Sequence, residues 1–365
     1  MKAKQLPRYA LSFSAALFLA SPAFAQLTST EPLADGSAAT NGKLYLVSGS
    51  SSAAATAPVA YVYVGTSKGI NLYNAASNGK LTLVSGSPFK TTGLMIGSNQ
   101  KYFVTLGTYW VRSYPVKSNG AIGAQVSQIN TQNYSGRDCG ATNGAVLDHS
   151  GQDVYVLLNV PPDGVNVCNA FQSFKIAASG QLTFNGATST ETSAPPMRNL
   201  PTILANEKYA YAVNDFYEPA DGIFLTGWSG FARESNGSLQ YQNLILRIPP
   251  CQNDGYVSFP LAVTADATNH LAILIHAWFD PPYGNTASPQ LGSFTADSQG
   301  NVSSTNTSTK MPTPDVFPIS LNGSPVGPIV LNISPDGKLL AVGGNGGLQV
   351  FHFNGAAPIT RYSKV

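Results

Sequence analysis

The sequence predicts an all-β fold, a β-propeller of four-stranded antiparallel blades, on three observations. Seven glycines, Gly42, Gly79, Gly120, Gly180, Gly237, Gly300 and Gly355, each head a turn between short runs of alternating apolar residues, most often after Ser-Asn or Ser-Gln. Turns of this kind join hairpin strands because glycine accepts positive φ. Their spacing, about 40 to 60 residues, is the period of a blade rather than of a single hairpin. Finally, Asn-Gly-Lys-Leu-Tyr-Leu-Val-Ser-Gly-Ser at residues 41–50 returns at 78–87 with one change, Tyr45 to Thr82.

The chain begins with a basic stretch (Lys2, Lys4, Arg8), a mostly apolar run over 9–20 and an Ala-x-Ala ending at Ala25. That order predicts a signal peptide over residues 1–25 with cleavage before Gln26, hence a periplasmic or extracellular protein. The apolar run is shorter than the ~20 residues a membrane span needs. The first cysteine is Cys139, so no lipid anchor is expected at the new N-terminus. Residues 26–40 read as a flexible N-terminal segment and 41–365 as the propeller domain.

Ahead of each glycine turn lies a second hairpin, as at 329–342 around Ser-Pro-Asp-Gly, so each repeat supplies strands A, B, C and D. Six blades follow, with B strands expected at 59–64, 101–106, 153–158, 209–213, 271–275 and 338–342. The A strand of the first is expected in the Ser/Ala-rich stretch 50–58. Residues 41–50 are left over. They match an outermost D strand and are expected to close a seventh blade whose other strands lie beyond Val365; the alternative is a six-bladed ring with this strand added to an edge.

Ser-Pro-Asp-Gly-Lys-Leu-Leu-Ala-Val at 334–342, Ser-Asn-Gly-Lys-Leu-Thr at 77–82 and Tyr-Val-Tyr-Val-Gly at 61–65 are the residues that carry a family likeness. With them the chain resembles the bacterial lactonase-family and YVTN-type seven-bladed propellers, a WD40-like class, over residues 41–365. The resemblance implies the blade architecture and, by analogy, hydrolysis of a sugar lactone. The 6-phosphogluconolactonase of that family handles an anionic substrate in the cytoplasm, and this chain departs from it in its export signal and its lack of a cationic cluster.

Charged residues make up 10% of the chain and the net charge is +2, without a basic cluster. Nucleic acid and anionic lipid are therefore poor candidates as partners. In a propeller the B-C and D-A connections share one face, and every long loop of this sequence falls there. Nine of the eighteen acids do too: Asp138, Asp163, Glu191, Asp215, Glu218, Asp221, Asp254, Asp280 and Asp315. This predicts a mildly acidic mouth that suits a cation, a sugar or a basic peptide, against the plainer reading that loops are where polar residues go.

Asp215, Glu218 and Asp221 lie with Asn214 in one such loop, a composition that permits Ca²⁺. His276, Trp278, Asp280 and Tyr283 lie in another, as an acid/base pair or an aromatic platform for a sugar. The catalytic candidates are Asp215, Glu218, His276 and Asp280; Arg137, Asp138, Trp278 and Tyr283 are the ligand-binding candidates. Solvated loops and loop packing are the competing readings of both groups. Cys139 and Cys168 fall at one blade and are expected to form a disulfide worth ~3 kcal/mol, leaving Cys251 free. Gly-Thr-Ser-Lys-Gly at 65–69 has hydrolase spacing but joins two strands, which excludes a nucleophile elbow. His149, His270 and His352 read as structural. The function expected is a binding or scaffold propeller that presents its long-loop face to a carbohydrate, peptide or protein; a lactonase-like hydrolase is the alternative.

Overall fold

The computed structural model describes residues 25–26, 44–48, 60–66, 68–75, 81–91, 93–99, 101–131, 142–158, 170–189, 201–204, 206–218, 223–245, 256–279, 288–317, 329–334 and 337–362. Among them the strands form six antiparallel sheets arranged as a β-propeller. The first sheet holds β1 (Ala25–Gln26), β2 (Leu44–Ser48), β3 (Ala60–Thr66), β4 (Gly69–Ala75) and β5 (Leu81–Leu83). Blade 2 is β6 (Leu94–Ser98), β7 (Tyr102–Gly107), β8 (Trp110–Pro115) and β9 (Ser127–Asn130). Blade 3 is β10 (Thr142–Leu147), β11 (Asp153–Leu158), β12 (Ala170–Ile176) and β13 (Leu182–Ser189). Blade 4 is β14 (Thr202–Ile203), β15 (Tyr209–Glu218), β16 (Ile223–Arg233) and β17 (Leu239–Ile245). Blade 5 is β18 (Tyr256–Ala265), β19 (His270–Phe279), β20 (Ser288–Ala296) and β21 (Val302–Ser303). Blade 6 is β22 (Val330–Ile333), β23 (Leu339–Gly344), β24 (Gly347–Asn354) and β25 (Ala357–Arg361).

One expectation is corrected here. The strand expected to close a seventh blade instead pairs antiparallel with β3, from Leu44 opposite Val64 to Ser48 opposite Ala60. It is the A strand of blade 1, and its near-twin β5 is the D strand of the same sheet. Strands from the two copies therefore lie in one sheet, β2 between β1 and β3 and β5 at the far edge beyond β4. A Leu-x-Leu alternation specifies a strand but not which neighbour it bonds, and β3 offered the pairing edge.

The B strands are buried on both faces, which is why they read as nearly continuous apolar runs. In β11, Val154, Val156 and Leu158 pack toward blade 2, while Tyr155 and Leu157 pack toward blade 4. In β19, Leu271, Ile273 and Ile275 face blade 4, and Ala272 and Leu274 face blade 6. Buried clusters join blades 1 and 2, 2 and 3, 3 and 4, 4 and 5, and 5 and 6. The chain between blades 5 and 6 adds a strap: Leu291 N donates to Pro312 O and Gly346 N to Val316 O, with Met311, Val316 and Phe317 buried beneath it.

The C-D turn glycines have a second role beyond their φ. Tyr61 and Tyr63 of β3 donate their hydroxyls to Ser118 O and Gly120 O in the next blade's C-D turn. Tyr209 and Tyr211 of β15 do the same to Ser298 O and Gly300 O. A Cβ on Gly300, whose φ is +83°, would lie 2.6 Å from the Tyr209 ring, so only glycine lets the ring lie on the turn. Tyr155 OH to Gly237 O and Ser113 Oγ to Gly180 O continue the series.

Candidate functional site

At the B-C end the blades are unequal. The B-C ladder has six rungs in blade 2 and six in blade 6, each closed by a two-residue turn. In blade 4 it has ten, from Tyr209 opposite Ala232 to Glu218 opposite Ile223. Four extra rungs at ~3.3 Å each project a ribbon about 13 Å past the frame of those blades. Blade 5 carries a matching ribbon in which β18 and β19 pair out to Tyr256 opposite Phe279.

This corrects the reading of residues 214–218 and 276–279 as loop. Asp215 and Glu218 lie on β15, opposite Thr226 and Ile223. His276 and Trp278 lie on β19, opposite Phe259 and Val257. The two pairs of candidates thus stand on ribbons of adjacent blades. Arg137, Asp138, Asp221, Asp280, Tyr283, Cys139 and Cys168 lie outside the described residues. Asp315, counted in the acidic mouth, is held by both Arg361 nitrogens at 2.8 and 3.1 Å in blade 6, so its charge is matched.

The opposite face holds a charged cluster in the seam between blades 3 and 4. Arg233 at the end of β16 donates from Nη2 to Asp153 Oδ2 and, at 3.3 Å, to Asp148 Oδ2; its Nε donates to Tyr155 OH at 2.9 Å. Asp148 and Asp153 have 0% and 2% of their side chains exposed. Glu207, in the A-B turn of blade 4, accepts from Ser150 N at 3.1 Å and lies 3.9 Å from His149 Nδ1 and, through Oε2, 3.9 Å from Arg233 Nε. Burial, then the Asp148 charge, pushes the Glu207 carboxyl up to about 7, with Arg233 opposing. Burial likewise raises Asp153 and lowers His149. Glu207 also has φ of 57°, the one positive value on a non-glycine among the described residues, and such strain needs surroundings that hold it.

No family model and no curated protein sequence matches the chain. Among solved structures it is similar to a Bacteroides uniformis protein provisionally assigned as a 6-phosphogluconolactonase, at 14% identity and a TM-score of 0.48, over 93% of this chain and 95% of that one. A periplasmic gluconolactonase of Pseudomonas aeruginosa gives 14% and 0.35, over 93% and 99%. A hypothetical selenium-binding protein of Sulfolobus tokodaii gives 8% and 0.46, over 93% and 90%. At these values the fold assignment rests on the strand pairing itself.

The seam cluster escaped the sequence reading, although a signal for it exists. The bond that closes each A-B turn aligns Asp153 with Tyr102, Tyr209, His270 and Leu339. Likewise Arg233 takes the place of Val116, Ile176, Ala296 and Phe353. An acid and a cation each break the repeat once, and they meet. His149, set aside as structural, borders this cluster; His270 is bonded to Asp266 at 2.9 Å and His352 stacks on Tyr362.

Proposed function

We propose that the protein is an exported binding propeller whose ligand docks at the B-C end, against the ribbons of blades 4 and 5. The observation that carries this is the inequality of the ladders, ten rungs in blade 4 against six in blades 2 and 6. A frame that extends two neighbouring blades builds a wall beside the channel mouth. Those ribbons carry Asp215, Glu218, His276 and Trp278, carboxylates and an aromatic of the kinds that hold sugar hydroxyls and stack on sugar rings. Carbohydrate is the first ligand class to test, with peptides second.

The test is a glycan and peptide array with the purified chain, followed by calorimetric titration of hits with wild type, Trp278→Ala and Asp215→Asn. Binding that weakens at least tenfold in both variants supports the reading; arrays with no hit, or hits untouched by either substitution, refute it. Lactone hydrolysis is a second reading, favoured by an imidazole and a carboxylate on adjacent ribbons, which are the groups that activate water. Gluconolactones, the class named for the Pseudomonas protein, are the substrates to assay. Turnover abolished by His276→Ala would establish hydrolysis in place of simple binding.

A further inference from the structure

We infer that the seam between blades 3 and 4 is a proton-operated latch, in which one proton shared by the carboxyl groups of Glu207 and Asp148 holds the A-B turn of blade 4 against that of blade 3. This is independent of any ligand at the B-C end.

Hydrogen-bond accounting leads to this. Among the described residues Arg233 is the one cation in contact with Asp148, Asp153 and Glu207 together, and it gives its hydrogens to Asp148, Asp153 and the Tyr155 hydroxyl. Glu207 is left with Ser150 N on Oε1, while its buried Oε2 receives no hydrogen bond. A carboxyl–carboxylate bond to Asp148 resolves the imbalance, and it is available only while Glu207 keeps its proton. The other groups facing the pair do not replace it. Burial lowers the His149 pKa, Lys175 acts on Asp153 from β12, and Asp266 of blade 5 acts on His149.

The turn of blade 4 depends on this contact more than its counterparts do. Asn99, Asp148, Asp266 and Ser334 each cap their own A-B turn by accepting a backbone N–H with the side chain. The corresponding residue in blade 4 is Leu204, which has no such group, and the side-chain cap inside that turn is Asn206 Oδ1 on Lys208 N, which among the described residues leaves the Tyr209 N–H uncapped. Glu207 ties the turn across the seam as well, and does so from its strained φ. Loss of the proton to solvent, which reaches 24% of the Glu207 side chain, sets a second negative charge beside the Asp148 carboxylate and repels the turn.

The experiment is amide exchange on the full chain at about pH 6 and about pH 8, corrected for intrinsic rates, in wild type, Glu207→Gln and Asp148→Asn. The closed turn holds the Glu207 proton up to about pH 7, whereas an opened turn releases it in the ordinary carboxyl range. Between those limits every tenfold drop in proton activity weakens closure about tenfold, and above the upper limit the effect stops. Wild-type protection at Ser150, Leu204 and Glu207, whose N–H groups are bonded in and across the turn, should therefore fall about tenfold at the higher pH, while amides of β23 stay unchanged. Glu207→Gln, an uncharged isostere, keeps its protection at both. Asp148→Asn removes the like charge, moves the Glu207 ionisation to acid and flattens the profile over the same window, so either variant suffices should the other fail to fold. Wild-type protection independent of pH, or the same fall in both variants, overturns the latch.

Discussion

Gly300→Ala and Gly337→Ala separate two reasons for a turn glycine. Both positions have positive φ, +83° and +69°. An L-residue there costs about 1–2 kcal/mol. At Gly337 the new Cβ meets nothing closer than 3.7 Å, from Asp266, so the backbone cost is the whole effect. At Gly300 it would lie 2.6 Å from Cδ1 and Cε1 of Tyr209, a distance that forces the ring off the turn. That movement breaks Tyr209 OH to Ser298 O and disturbs Tyr211 OH to Gly300 O, bonds worth about 1 kcal/mol each. The expected losses are about 3–4 kcal/mol for Gly300→Ala and about 1–2 for Gly337→Ala. Urea unfolding followed by far-ultraviolet circular dichroism measures both. Equal losses within about 0.5 kcal/mol would show that the tyrosine does not need the glycine, and the account of the seams would fail.

Three further outcomes are expected. Tyr211→Phe removes a single hydroxyl at constant shape and costs about 1 kcal/mol by the same unfolding measurement. Arg233→Val strands the buried Asp148 and Asp153 carboxylates and costs about 3–5 kcal/mol; adding Asp153→Tyr, the residue at that place in blades 2 and 4, recovers part of it. Burial lowers the His149 pKa, so the stability this residue contributes is present above the unfolded value near 6.5 and lost as pH falls through its lower folded value. His149→Gln should accordingly flatten the melting-temperature profile of the wild type between about pH 7.5 and about pH 5; an unchanged profile contradicts the assignment.

The blades were legible because their determinants are local: a glycine turn, an Asx or serine cap, and apolar runs long enough to be strands. All six B strands start within one residue of where the apolar pattern put them. Pairing partners were less legible, since Leu44–Ser48 and Leu81–Leu83 have the same alternation, yet one pairs with β3 and the other with β4 of the same sheet. Ends of elements misled as well. Asn214, Asp215 and Glu218 have the composition of a loop, yet they continue β15, because each rung of the ladder to β16 satisfies backbone groups whatever the side chain. The Arg233 cluster needed an alignment of one blade on another. Asp153 and Arg233 lie eighty positions apart and look unremarkable alone.

The tyrosine clasps all point the same way. Blade 1 donates to blade 2, blade 2 to blade 3 through Tyr102 and Ser113, blade 3 to blade 4 and blade 4 to blade 5. The assembly is therefore head-to-tail, with a sense of rotation that a mirror ordering of identical sheets would lack. Blades 2, 3 and 4 each have one gripping flank and one gripped flank, so among them a blade moved to another place keeps its fit while a blade turned over cannot dock. Arg233, which reaches backward from blade 4 to blade 3, is the charged exception to that polarity, and it lies in the seam that responds to protons.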